Sequence, residues 1–173
     1  EDLVAVIKEA AAKKGKIIIP AFALGRTQHL IYTLHKLTDE GRIPRMPIFI
    51  DSPLAINITE VFKRHEDNYK DSADEGFTDA VEDPMSFRNL EYVETADESK
   101  TLNTKKGPFI VIASSGMGEG GRILHHLDQH ISDPKATVII TGYQAVNTLG
   151  RKIQDGMNPV KIYGSPHRVK AKV

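Results

Sequence analysis

Ile17-Ile18-Ile19-Pro20-Ala21-Phe22-Ala23-Leu24-Gly25-Arg26-Thr27 is the stretch that decides the fold. An unbroken apolar run bounded by Gly15 and Pro20 predicts a strand buried on both faces, as in parallel sheets, because a strand wetted on one face would alternate apolar with polar residues. Upstream, Val4, Ile7, Ala11 and Ala12 recur at helical spacing and Gly15 stops the helix. Downstream, a helix starting near Thr27 carries Leu30, Leu34 and Leu37 on one face. Further short apolar runs follow at 47–51, 90–95, 109–113 and 137–141. Between them lie helical patterns carrying Leu54, Ile58 and Phe62, and then Ile123, Leu124, Leu127 and Ile131. A brief helix at 149–153 and two closing strands at 160–163 and 169–173 complete the reading. Strands alternating with helices predict an α/β fold with a doubly wound, mainly parallel, Rossmann-like sheet and helices on both faces. The acidic, aliphatic-poor segment 66–83 reads as a loosely packed excursion with one short helix.

Composition narrows the chemistry. The chain has 173 residues, 23 Lys plus Arg against 23 Asp plus Glu, seven His, no Cys and no Trp. That length fits one domain with a continuous core. The missing cysteines exclude disulfide scaffolds, thiolate zinc sites, Fe–S clusters and thiol nucleophiles, leaving His, Asp and Glu for any metal. Zero net charge confines any polyanion site to a local patch. No run approaches the ~20 apolar residues that cross a bilayer, and no signal peptide opens the chain, so a soluble cytoplasmic protein with no membrane partner is expected.

In a doubly wound sheet ligands gather at the carboxyl ends of the strands. The residues there are 20–27, Asp51-Ser52-Pro53-Leu54-Ala55, Ser114-Ser115-Gly116-Met117-Gly118-Glu119-Gly120-Gly121-Arg122, and Gly142-Tyr143-Gln144-Ala145 through Gly150-Arg151. Serine hydroxyls, glycine backbone and helix starts flanked by Arg26, Arg122 and Arg151 suit a phosphate ligand, although each serine or glycine alone fits a cap or a tight turn equally well. Gly116, Gly118 and Gly121 satisfy G-x-G-x-x-G. The next strand, however, ends Ile140-Thr141-Gly142-Tyr143, without the acid that holds a dinucleotide ribose. Arg122 and Ile123 stand where a P-loop needs Lys and Ser or Thr, and Ser115 lacks the frame of a nucleophile elbow. His126 and His130 have a zinc-compatible i, i+4 spacing but no H-E-x-x-H glutamate, and a solvated or capping role is expected. His29, His35 and His65 are expected on the surface, and His167 lies in a Ser-Pro-His turn without a partner nearby in sequence.

Five ordered blocks carry a family resemblance: Ile19-Pro20-Ala21-Phe22-Ala23-Leu24-Gly25-Arg26-Thr27-Gln28, Ile50-Asp51-Ser52-Pro53-Leu54-Ala55, Ala113-Ser114-Ser115-Gly116-Met117, Gly120-Gly121-Arg122-Ile123-Leu124-His125-His126-Leu127, and Gly142-Tyr143-Gln144-Ala145 with Thr148-Leu149-Gly150-Arg151. Together they resemble the β-CASP domain of metallo-β-lactamase-fold nucleases, most of all the prokaryotic RNA-specific branch. The resemblance implies that residues 1–173 form a single β-CASP domain within a longer polypeptide. In that polypeptide a metallo-β-lactamase domain binds two zinc ions, single-stranded RNA is the substrate, and a homodimer is allowed. The zinc-binding H-x-H-x-D-H run is not in this sequence, so no metal ligand and no catalytic residue is expected here, and the isolated chain is expected not to cleave. Arg26, Ser52, Ser114, Ser115, Gly116, Met117 and Arg122 are the expected contacts to RNA. The competing expectation is a stand-alone nucleotide- or phosphate-binding module on the same sheet.

Overall fold

Ile17, Ile18 and Ile19 have no exposed surface, so β1 (Lys16–Pro20) must be covered from both sides. The computed structural model, which describes residues 2–65 and 83–173, shows how. Among these residues a five-stranded parallel sheet runs in the order β3-β2-β4-β1-β5, with β2 (Ile48–Asp51), β3 (Leu90–Tyr92), β4 (Phe109–Ala113) and β5 (Thr137–Val138). The pleat sends alternate residues to opposite faces. Ile17, Ile19, Ile48, Ile50, Ile110 and Ile112 pack against α1 (Asp2–Ala12), α2 (Arg26–Asp39) and α3 (Pro53–Arg64), meeting Ile7, Leu30, Leu34 and Ala55. Ile18, Phe49, Phe109 and Val111 face the other layer. That layer is built from α4 (Ala96–Thr104), α5 (Ile123–His130) and α6 (Leu149–Gln154) through Leu102, Ile123, Leu127, Leu149 and Ile153. The predicted doubly wound α/β fold is therefore the observed one.

Several local expectations are corrected. Leu54 is 61% exposed, and α3 instead turns Ala55 and Thr59 inward. The cause is Gln28 on α2, whose Nε2 donates to Thr59 Oγ1 at 3.0 Å and to Ala55 O at 3.5 Å, drawing the small face of α3 against α2. The polar helix α4 was not anticipated. It is started by a capping box in which Thr95 Oγ1 accepts from Glu98 N at 3.2 Å while Glu98 accepts from Thr95 N at 3.0 Å. The strands expected at 90–95 and 137–141 are confined to Leu90–Tyr92 and Thr137–Val138. At the C-terminal end β6 (Val160–Ile162) pairs antiparallel with β7 (Ser165–His167), not with 169–173. The two-residue turn between them, Tyr163-Gly164, has φ of 50° and 80°, the left-handed pair that matches the twist of a tight hairpin. Lys172 instead makes a single parallel bridge to Thr137. The excursion read at 66–83 falls almost wholly outside the described residues.

Candidate functional site

The chain places β4 between β1 and β2, and the register brings Pro20, Ala113 and Asp51 to one level. From that level the β1 and β2 loops leave toward α2 and α3, while the β4 loop leaves toward α5 on the opposite face. Loops diverging in this way open a crevice at the carboxyl edge, where doubly wound sheets bind ligands. Ser52 caps α3, its Oγ accepting from Ala55 N at 3.3 Å, and the same hydroxyl meets Ser114 Oγ at 2.9 Å. Thr27 Oγ1 donates to Phe22 O at 2.8 Å and Gln28 Nε2 to Ala23 O at 3.1 Å, which folds the 21–25 loop over the start of α2.

The β4–α5 loop is closed on itself. Ser115 N donates to Gly120 O at 2.9 Å, Gly118 N to Ser115 O at 3.2 Å, Glu119 N to Ser115 Oγ at 3.2 Å and Ile123 N to Ser114 O at 3.0 Å. These N–H groups are therefore spent inside the loop and are not offered to a pyrophosphate as in a dinucleotide fold. Neighbouring loops fasten it from outside: Gln144 Nε2 donates to Gly116 O at 3.0 Å, Gly150 N donates to Met117 O at 2.9 Å, and Glu119 accepts from Leu149 N.

Beneath the crevice lies a buried polar hub. The Asp51 carboxylate, at the last residue of β2 and without exposed surface, accepts from Arg122 Nη1 on Oδ1 at 2.6 Å. On Oδ2 it meets Ser99 Oγ at 2.5 Å and His126 Nε2 at 2.6 Å. Arg122 also donates to Val93 O at 2.9 Å and Glu94 O at 2.8 Å, and its side chain is only 18% exposed. Burial alone would raise the Asp51 carboxyl, but the hydrogen bonds from His126, Ser99 and Arg122 overcome it and hold the group below its ordinary value. Among the described residues no group of three or more His, Cys, Asp or Glu side chains could hold a metal, so the donors present do not fit the zinc pair that the resemblance implies for the longer protein.

The histidines differ most from expectation. His126 and His130 are buried, not solvated, because α5 turns them inward and leaves Leu124 only partly covered. His35 is buried too, stacked on Phe87 with centroids 4.4 Å apart and with Nδ1 3.1 Å from Pro84 O. His167 has no partner nearby in sequence, as expected; its Nε2 lies 3.2 Å from an Asp128 carboxylate oxygen on α5, an ion-pair distance without hydrogen-bond geometry. Burial, with the Lys16 and His126 charges nearby, pushes His130 down to about 4. The unfolded chain therefore takes up a proton below its ordinary 6.5 that the native imidazole refuses until near 4. Stability should accordingly fall as pH drops through that window, and His130→Asn should remove about 1–2 kcal/mol of the fall. Urea unfolding of both proteins at pH 7, 5.5 and 4.5 checks this; parallel pH dependences would show that His130 carries none of it.

Of the expected contacts, Ser114, Ser115 and Met117 are half-buried on the crevice rim, Ser52 and Gly116 lie buried behind it, Gly116 against the Phe22 ring, and Arg26 stands exposed at the start of α2. Arg122 is directed to Asp51 and the two carbonyls. Sequence reasoning missed Asp51, Ser99 and His126, and it also missed the apolar rim. Phe22 (45% exposed), Leu24 (66%) and Tyr143 (73%) all lie in loops of this edge.

A parallel α/β sheet with Ser- and Gly-rich loops at its switch point defines a doubly wound α/β domain. Its sequence places it more narrowly: residues 27–153 match the Beta-Casp domain family, and the chain belongs to that family. It is 36% identical over 168 residues to Ribonuclease TTHA0252 of Thermus thermophilus, covering 97% of this chain and 38% of the relative. It is 32% identical over 171 residues to the RNase J-like protein of Methanocaldococcus jannaschii (99% and 38%), and 30% identical over 153 residues to Endoribonuclease YSH1 of Candida glabrata (86% and 19%). The chain thus spans at most 38% of the length of these relatives. Among the described residues no helix is long and apolar enough to cross a membrane.

Proposed function

We propose that this domain is the RNA-holding half of a zinc-dependent ribonuclease and works against a metallo-β-lactamase domain of the same polypeptide in the cytoplasm. The observation that carries the reading is the convergence of the β1, β2 and β4 loops on one crevice, joined by the Ser52–Ser114 contact at 2.9 Å. Zinc ions bound on that neighbouring domain, and not by the residues described here, would supply an activated water and Lewis-acid stabilisation. The residues of this chain bind and orient. Arg26 offers a charged fork to backbone phosphate, the half-buried Ser114 and Ser115 hydroxyls donate to phosphate oxygens, Met117 borders the strand, and the buried Ser52 and Gly116 hold Ser114 and the Phe22 ring in place. Phe22 and Tyr143 present ring faces to unstacked bases, the sequence-tolerant mode used for single strands.

In the full-length protein, Arg26→Ala and Ser115→Ala should each lower kcat/KM for a single-stranded RNA at least about tenfold, or ~1.4 kcal/mol of transition-state stabilisation. The isolated domain should bind the RNA without cleaving it. Unchanged kinetics in both variants, or tight binding of mononucleotides with no response to RNA, would overturn the reading.

A further inference from the structure

We propose that Asp51 is a positioning residue that fixes the β4–α5 loop for RNA, acting through Arg122 and His126 on one side and Ser99 on the other; this rests on the proposed function above. Two consecutive residues at the end of β2 grip the two ends of that loop. Ser52 holds its first residue through Ser114 Oγ at 2.9 Å, and Asp51 holds its last through Arg122 Nη1 at 2.6 Å. One turn further along α5, His126 adds a second tether to the same carboxylate at 2.6 Å, and Ser99 supports it from α4 at 2.5 Å.

The arrangement is costly if its only purpose is cohesion. A buried ion pair contributes little more than a well-packed apolar pair would, because desolvation offsets the attraction. This one also leaves His126 Nδ1 buried without a partner, a further penalty. What the ion pair supplies that apolar contacts do not is direction. Hydrogen bonds of fixed geometry set where α5 begins relative to β2, and so where Ser114, Ser115 and Gly116 stand over the crevice. Asp51, Ser99 and His126 are themselves buried and cannot touch a polymer, so their effect on RNA must pass through the loop.

Binding of a fluorescently labelled single-stranded RNA to the full-length protein, measured across a salt series at a temperature where each variant is folded, separates this role from its rivals. Ser99→Ala and Arg122→Lys are each expected to weaken binding at least about fivefold, since small misplacements of a positioned group are amplified in this way. Arg122→Gln should weaken it with the slope of log affinity against log salt unchanged, because no phosphate contact is lost. Should Arg122→Gln not fold, Ser99→Ala and Arg122→Lys decide alone. A slope shallower by about 0.7 in Arg122→Gln, the signature of one lost phosphate contact on a single strand, would overturn the proposal in favour of direct contact. Loss in Ser115→Ala and Arg26→Ala with none in Ser99→Ala or Arg122→Lys would overturn the positioning role and leave the RNA-holding reading intact. No loss in any of these variants would overturn both.

Discussion

Asp51→Ala is expected to destabilise the domain by about 3–5 kcal/mol, the range for removing one partner of a buried ion pair. Three donors lose their acceptor at once: the Arg122 guanidinium, the Ser99 hydroxyl and the His126 ring nitrogen. Ser99 and His126 are too buried for water to replace it. Against a typical total of about 5–15 kcal/mol, such a loss leaves a marginal fold. Asp51→Asn preserves the shape and one acceptor oxygen for Arg122, and should cost roughly half as much. Because the carboxyl is held below its ordinary value, its contribution is present above 3.8 and is lost as pH falls through the native value. The difference between wild type and Asp51→Ala should therefore shrink in acid. Denaturant unfolding of the three proteins at pH 7 and pH 3 measures both effects, and a loss below about 1 kcal/mol at pH 7 would mean that the hub is effectively solvated.

Gly121→Ala is the second large effect, and it joins stability to function. Gly121 has φ +75°, and a Cβ there would stand 2.4 Å from Ser114 O and 2.9 Å from its carbonyl carbon, both backbone atoms that cannot rotate aside. The left-handed conformation costs roughly 1–2 kcal/mol for alanine and the overlap adds about 1–3. A loss of about 2–5 kcal/mol is expected if the loop stays in place. If it yields, the Ile123 N to Ser114 O bond at 3.0 Å opens and Ser114 withdraws from Ser52. Either route should lower kcat/KM of the full-length protein for RNA at least about tenfold. Gly120→Ala is the control: nothing lies within 4 Å of its Cβ, so it should stay within about 0.5 kcal/mol of wild type. Equal behaviour of the two variants would show that the 114–121 loop is not held as described.

The parts of this molecule legible in the sequence are those where one segment decides its own fate. Ile17-Ile18-Ile19 and Phe109-Ile110-Val111-Ile112-Ala113 announce strands buried on both faces because no residue in them could face water. The crevice rim was legible for a related reason, since Ser and Gly cluster immediately after those runs. Helix α4 buries only Ser99 and Leu102, too little to show a period, although Thr95-Ala96-Asp97-Glu98 spells the capping box that starts it. The hub was hidden because its members come from β2, α4 and α5 and are brought together only by tertiary packing. One clue was available: an aspartate closing the apolar run Ile48-Phe49-Ile50 has to find donors, and Arg122 and His126 stand one helical turn apart. The inward turn of His126 and His130 follows from that need, and hydrophobicity alone assigns it wrongly.

The position of β4 between β1 and β2 also governs the order in which the molecule can come together. Lys16 pairs with Phe109 and Ile48 with Ile110, so β1 and β2 face each other across an empty lane about 10 Å wide until a much later part of the chain arrives. During synthesis the first three helices and both strands emerge with open inner edges and no partner for them, and closing the sheet means bringing together segments far apart along the chain, which is slow. The strand that fills the lane is the one that carries the 114–122 loop. A chain therefore gains its central sheet and the loop at its carboxyl edge in the same event, and partly folded molecules that lack the one also lack the other.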